Sequence, residues 1–379
     1  MRKTEENTLP SVTFLTNYLT HHQLPFALEM YRILGDKFIF VATNYMEEER
    51  KSMGWGSEGA RYPFFHHFDD DMPYADKAIN DADVLICGST HVSYIKARLD
   101  AGKLTFRYFE RLYKKGRARA FFPRGYISKW KEHTAYRKAP VYLLCAGAYV
   151  AGDFNLFASY PGKKLKWGYF PEFKEYTQEE LIRPEDKKIR LLWTGRMIDW
   201  KHPEDAIELA AYLKAQGVDF LLTMVGEGTQ AKDCRDRIER YHLQDHVECL
   251  GFENPESVRE RMRKADIYLA TSDHEEGWGA VINEAMNAGC VVFASVEMGA
   301  APYLIRSGEN GFLFNRNKAS VWMEEVKDLC GDPKRRKKIG AAAYETIRDE
   351  WNAKEAAKRF VTFCEDRDRI PGKGPMSRA

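Results

Sequence analysis

The 379-residue chain lacks most of the features that would settle its class at a glance. Its seven cysteines (Cys87, Cys145, Cys234, Cys249, Cys290, Cys330 and Cys364) contain no C-x-x-C pair, and several sit in apolar runs. That pattern argues for reduced, structural thiols and against a disulfide framework or a redox centre. The ten histidines form no H-E-x-x-H or similar ligand set, so no metal site and no cofactor is expected. No apolar stretch approaches the roughly 18 residues that cross a bilayer, residues 141–151 being the longest tempting run. The polar opening, Met-Arg-Lys-Thr-Glu-Glu-Asn, has neither signal-peptide nor transit-peptide character. The expected location is therefore the cytoplasm, with peripheral attachment to the inner face of the membrane as a variant. Low-complexity tracts are missing, as are repeats of about 20 to 50 residues, which excludes solenoids and arrays.

What is present is an ordinary globular composition, 44% apolar and 30% charged with a net charge of +2. At roughly 100 to 200 residues per domain, the length predicts two domains. Short apolar runs at 12–16, 37–43, 83–88, 105–108 and 141–145 alternate with helical or basic segments in the first half. Runs at 189–194, 220–225, 247–250, 265–272, 291–295 and 311–315 do so in the second. Strands alternating with helices imply α/β architecture with parallel, doubly wound sheets. The charged stretch 174–188 reads as a linker, which predicts domains over 1–180 and 181–365 and a disordered tail over 366–379.

The most informative stretch follows the run at 265–272. Glu276-Gly277-Trp278-Gly279 leads into a helix expected over 280–288, with Gly289 as its left-handed stop. Gly277 and Gly279 permit a tight turn and a close backbone approach. A helix N-terminus attracts an anion through its unpaired N–H groups and dipole. Glu276 and Glu284 flank that seat with seven residues between them. Carboxylates repel phosphate, so these two are suited to hydroxyls, and the combination fits a sugar diphosphate carrying a ribose. A second motif, Gly195-Arg196 with Lys201 five positions on, supplies two fixed cations. Cations aimed at a leaving diphosphate stabilise the developing charge more than the ground state.

The Glu-x7-Glu spacing inside E-G-x-G-x-x-x-x-E-A-M-x-x-G resembles the signature of the retaining, nucleotide-sugar-dependent glycosyltransferases of family four. The resemblance implies the GT-B fold, two Rossmann-like domains facing a cleft. It places Glu276 on the donor sugar, Glu284 on the ribose, and Arg196 and Lys201 on the diphosphate, with Gly195, Gly226, Gly277, Trp278 and Gly279 around the donor. It also implies front-face transfer with retention, and a terminal helix that returns to the first domain. The cationic clamp would replace a divalent metal. The likeness is strong over residues 189–315 and rests on alternation alone in the first half.

Acceptor recognition is less legible. His21 and His22 follow the first strand, His91 the third and Glu110 the fourth, at the strand ends where such sheets bind ligands. They are the acceptor-side candidates, for a glycan or a lipid-linked acceptor. Family members often carry a glycine pair where this chain has His21-His22. The segment that starts at Lys96 and ends at Lys138 holds fourteen Lys or Arg against three acidic residues, interleaved with aromatics. It reads either as a solvated basic face or as a surface for an anionic membrane or lipid diphosphate. Nucleic acid is disfavoured, because no RNP, KH, zinc-finger or helix-turn-helix pattern accompanies the charge.

Two rivals stand beside a glycosyltransferase of surface polysaccharide synthesis. Gly226-Glu227-Gly228-Thr229-Gln230-Ala231 matches the G-x-G-x-x-A of NAD(P)-dependent dehydrogenases, but no acidic residue ends the next strand. A GT-B protein that only binds a nucleotide sugar or an anionic surface is the other, although a pure binder has no use for a leaving-group clamp.

Overall fold

The computed structural model describes residues 9–47, 61–183 and 188–379. Cα packing separates two units, Met1–Glu172 with Ala353–Ala379, and Phe173–Asn352.

The first unit is built on seven parallel strands in the order β3-β2-β1-β4-β5-β6-β7. They are β1 Val12–Thr16, β2 Phe38–Ala42, β3 Phe65–His67, β4 Val84–Cys87, β5 Thr105–Phe109, β6 Val141–Ala146 and β7 Lys164–Trp167. Every residue of β1 is buried, as expected of a central parallel strand covered on both faces. Helix Leu24–Leu34 starts with a proline in its first turn and buries Phe26, Ala27, Met30 and Leu34, an i, i+4, i+8 stripe. Helix Ala353–Glu365 packs in the same unit through Phe360, whose ring lies 6.3 Å from Phe26 and 4.8 Å from Phe106. The tempting apolar run after residue 140 is β6 followed by a turn, and among the described residues no helix is long and apolar enough to cross a membrane.

Two boundary expectations change. The charged stretch after Glu172 is not a free linker as far as Arg183. Phe173 and Tyr176 pack on Tyr344, the Lys174 N–H donates to Asn287 Oδ1 at 2.8 Å, and Arg183 donates to the Ala265 and Ala288 carbonyls. Charged composition concealed this because the anchoring contacts are aromatic and backbone ones; residues 184–187 lie outside the described residues. The tail expected to be disordered is also ordered. Met376 and Ser377 are buried, the Lys166 N–H donates to the Ser377 carbonyl at 2.7 Å, and the Met376 N–H returns to Lys166 at 2.9 Å. The tail thereby covers the edge of β7, whose backbone groups would otherwise lack partners.

The second unit has six parallel strands in the order β10-β9-β8-β11-β12-β13. They are β8 Ile189–Thr194, β9 Phe220–Val225, β10 Val247–Cys249, β11 Ile267–Ala270, β12 Val291–Ser295 and β13 Phe312–Phe314. One face of this sheet carries a large core, with the register neighbours Trp193, Met224, Leu269 and Phe293 at its centre. The strand order reverses between β8 and β11, and the loops that follow these two strands therefore diverge around a topological switch point.

Candidate active site

The loop after β8 is laid against the loop after β9. Gly195 N–H donates to the Val225 carbonyl at 3.0 Å, Met197 N–H to Glu227 at 2.9 Å, and Gln230 N–H back to Met197 at 2.8 Å. This closeness explains the glycine at position 226: with φ at +132°, a Cβ there would lie 1.9 Å from the Gly195 carbonyl oxygen. Gly226, expected around the donor, thus owes its identity to the neighbouring loop. The G-x-G-x-x-A match acquires the same structural reason.

From Trp200 onward the loop is tied to the one that follows β11. Trp193 Nε1 donates to Thr271 Oγ1 at 2.8 Å, and that hydroxyl donates to the Lys201 carbonyl at 2.7 Å. The Asp273 N–H donates to the Trp200 carbonyl at 2.9 Å. His202 completes the bridge, its ring nitrogens meeting Glu204 Oε1 at 2.7 Å and Asp273 Oδ2 at 3.3 Å. Burial pulls the His202 imidazole down, but the hydrogen bonds from its two carboxylates outweigh it and the net shift is upward. The residue sits at φ +49°, ψ +55°, just before Pro203, where the right-handed region is disfavoured. A non-glycine residue held left-handed costs on the order of 1 kcal/mol or more, so the surrounding bonds hold it there.

The bridge brings the predicted cations and carboxylate together. Lys201 Nζ pairs with Glu276 Oε2, which also accepts from Ser272 Oγ at 3.3 Å. The Trp200 ring carries Lys201 Nζ 4.6 Å from its centre and the Arg196 guanidinium at 5.8 Å. Arg196 is exposed and makes no ion pair among the described residues. Its charge therefore remains available to an anion at the end of β8.

Glu276 precedes the glycine turn. Gly279 takes φ +93°, and a Cβ there would meet Met298 Cε at 2.5 Å. Gly277 is buried in the same turn. The helix that follows, Val281–Asn287, is shorter than expected. Glu284 keeps some exposed surface on it, yet its carboxyl end lies among protein atoms. Burial pushes that carboxyl up to about 7, with Arg259 the opposing influence. Trp278 is a correction. Its ring is 1% exposed, its Nε1 donates to Asn283 Oδ1 at 2.9 Å, and it packs near Tyr303 and Trp351. It anchors the turn from below and offers no face to a donor.

Trp200, His202, Thr271 and Asp273 escaped the sequence reading. Their only signal was adjacency: two border Lys201, and two lie between β11 and Glu276. A cavity of about 590 Å³ in this unit, bounded by Tyr176, Arg183, Asp266, Arg336 and Tyr344, lies at the opposite, amino end of β11 and β12 and shares no residue with this site.

In the first unit, Glu110 accepts from the Tyr169 hydroxyl and from Lys114 Nζ, each at 2.8 Å. The Tyr169 ring lies 5.9 Å from His22, whose ring centre is 3.8 Å from that of His21 with the planes tilted by 46°. Burial raises the phenols of Tyr169 and nearby Tyr108 well above their ordinary value, so both remain protonated donors. His21, His22 and Glu110 thus share one cluster, with Tyr169 as the member that sequence reasoning missed. His91 does not join it: its Nδ1 meets Ser93 Oγ at 2.8 Å and accepts the Ser93 N–H, which makes it the cap of a short turn. Asp71, from the acidic run 69–71, likewise caps a helix by accepting from the Tyr74 N–H at 3.0 Å.

The family model described as "Glycosyl transferases group 1" matches residues 174–346, nearly the whole second unit. Among curated proteins, the amylovoran biosynthesis glycosyltransferase AmsK of Erwinia amylovora is 32% identical over 162 residues, 40% of this chain and 39% of that protein. The N-acetyl-alpha-D-glucosaminyl L-malate synthase of Bacillus anthracis is 25% identical over 207 residues, 54% of this chain and 53% of that protein. The chain spans about half the length of these curated relatives, or less. A crystal structure of Anabaena HepE in complex with UDP superposes with a TM-score of 0.66 at 13% identity, covering 94% of this chain and 98% of that one. That likeness shows the fold: two parallel-sheet, Rossmann-like α/β units of the GT-B kind.

Proposed function

We propose that the chain is a glycosyltransferase that moves a sugar from a nucleoside-diphosphate donor to a glycan or lipid-linked acceptor, with retention and without a divalent metal. The observation that carries this reading is the set of bonds tying the loop of Arg196 and Lys201 to the loop of Glu276, inside the unit that matches the glycosyltransferase family model. A clamp held this rigidly is pre-organised for a leaving diphosphate, whose charge grows as the glycosidic bond breaks. Near a protein surface, one such charge pair about 4 Å apart is worth roughly 4 kcal/mol before desolvation. Lys201 is neutralised by Glu276 in the free protein. A diphosphate arriving beside Arg196 competes for Lys201 and releases the Glu276 carboxylate toward the hydroxyls of the donor sugar.

Glu284 serves the ribose. A carboxyl titrating at about 7 is part neutral and part ionised at physiological pH, and the ionised form gains when a hydroxyl donates to it. UDP is the first nucleotide to try, because it is the ligand of HepE. A place in surface polysaccharide synthesis follows AmsK, whose name assigns it to amylovoran.

The test is calorimetry of the purified chain with UDP, GDP, ADP, NAD and NADP, first in EDTA and then with magnesium. Binding of one nucleoside diphosphate in EDTA supports the clamp and names the base. Binding of NAD or NADP alone overturns the reading.

A further inference from the structure

The most apolar exposed region among the described residues is a short stretch of the first unit that the proposed transfer does not use. Five of the thirteen exposed large hydrophobic side chains fall within ten residues: Phe121, Phe122, Tyr126, Ile127 and Trp130. They lie on and just before helix Pro123–Glu132, none of whose residues is buried. An isolated helix of ten residues is marginal in water. This one is held mainly at one edge, where Tyr126 meets Phe157 at 5.3 Å, and internally by Ser128 and Lys129 reaching Glu132. Phe121 is left 73% exposed, Phe122 66%, Ile127 53% and Trp130 48%.

The faces are segregated. Tyr126 and Trp130 are one turn apart, as are Ile127 and Lys131, so the apolar stripe has a cation on its flank. The bonded trio of Ser128, Lys129 and Glu132 takes the other side.

The structure also sorts ten of the fourteen cations of the basic segment. Arg98 and Arg107 are buried, Arg98 serving the carbonyls of Ile79, Ala82 and Leu104. Lys96, Lys114, Arg117 and Lys129 are paired with Asp100, Glu110, Asp153 and Glu132. Arg124 and Lys131 on the helix, with Arg137 and Lys138 just beyond it, are exposed and make no ion pair among the described residues. Four cations without an ion pair among the described residues thus lie on or just beyond the helix that carries the aromatic stripe.

We infer that this helix docks the protein onto an anionic lipid bilayer, with Phe121, Phe122, Ile127 and Trp130 entering the headgroup region and Arg124, Lys131, Arg137 and Lys138 meeting lipid phosphates. An interfacial helix needs this pairing of an apolar stripe with flanking cations. Single-stranded nucleic acid is a poorer fit, since it binds along a basic groove with stacking platforms. Here the surface is a projecting helix, and Ile127 has no face on which a base can stack. The proposal does not depend on the chemistry of the second unit.

The test is co-sedimentation of the full chain with phosphatidylcholine vesicles, with and without phosphatidylglycerol, beside a fluorescent single-stranded RNA. Binding to the phosphatidylglycerol vesicles is expected, weakening as salt rises. The variant Phe121→Ser/Phe122→Ser/Trp130→Ser should lose about tenfold or more of that binding, and Arg124→Gln/Lys131→Gln several-fold. Both variants should keep the wild-type circular dichroism and melting temperature, because none of these side chains is buried. The proposal is overturned if vesicles do not bind, if the folded triple variant binds as well as the wild type, or if RNA binds more tightly than vesicles. A dimer that the triple variant abolishes would overturn it too, by assigning the stripe to a second copy.

Discussion

The two units solve the same topological problem in different ways. Each has a parallel sheet whose strand order reverses beside its first strand, and each places polar side chains in the loops at that point. In the second unit those loops are locked to one another through backbone groups: Met197 to Glu227, Thr271 to Lys201, Asp273 to Trp200. Backbone locking demands particular residues, including glycines where a Cβ would collide. In the first unit a backbone bond ties the segments after β1 and β2, Asn44 N–H to the Asn17 carbonyl at 2.9 Å, but the candidate cluster itself is joined through side chains, with Tyr169 linking Glu110 to the neighbourhood of His22. Side-chain clusters of that sort can be rebuilt from many residue combinations. Under the proposed function, the first solution suits a constant diphosphate and the second an acceptor that varies.

The largest effect should come from breaking the clamp. Arg196→Ala and Glu276→Ala should each lower sugar transfer by about 100-fold or more with little change in melting temperature, as steady-state kinetics and thermal unfolding would show. Comparable loss from substitutions in the first unit's histidines would erase the contrast between the units.

Backbone locking is tested next by adding a methyl group. Gly226→Ala places a Cβ on the Gly195 carbonyl and should cost on the order of 3 kcal/mol or more by urea denaturation. In the first unit Gly162, at φ +69° with nothing within 4 Å of its Cβ position, should cost only about 1 kcal/mol on substitution by Ala.

Glu284 sharpens the comparison through pH. Its folded-state value of about 7 lies above the ordinary carboxylate range, so the folded protein holds this proton more tightly than the unfolded chain. The stabilisation is present at low pH and is lost as pH rises through about 7. Glu284→Gln should therefore raise the melting temperature on the alkaline side of neutrality while weakening UDP binding about tenfold there. The His202 imidazole is also raised, so loss of its proton lowers stability in the same pH direction, and the informative quantity is the difference in pH slope between variant and wild type.

The smallest effects belong to the first unit. Tyr169→Phe removes the hydroxyl from Glu110 and should cost about 1 kcal/mol of stability, raise the acceptor KM and leave UDP affinity unchanged. His91→Ala should cost about 1 kcal/mol or less and alter neither binding nor transfer, as expected of a turn cap.

The same contrast explains what could be read from the chain alone. Eleven of the thirteen strands among the described residues were visible as apolar runs, the short Phe312–Phe314 among them, because buried parallel strands need Val, Ile, Leu and Phe in succession. β3 has only Phe65-His66-His67, and β7 alternates lysine with Leu165 and Trp167, so neither presents a continuous run. That Arg196, Lys201 and Glu276 come together was legible because the locked loops leave fixed spacings in the sequence. The ring of Trp278 lies in the core, which was not legible because a motif records that a residue is required without saying whether its side chain faces ligand or core. Tyr169 lies 59 residues from the Glu110 it serves, and only the fold brings them together.

The most direct test of the central claim is release of UDP from UDP-sugars in EDTA by the wild-type chain and by Arg196→Ala, with product stereochemistry read by proton NMR. The account predicts metal-free turnover with retained configuration in the wild type and its near-loss in the variant. Turnover that requires added metal, inverts the configuration or survives in Arg196→Ala would contradict it.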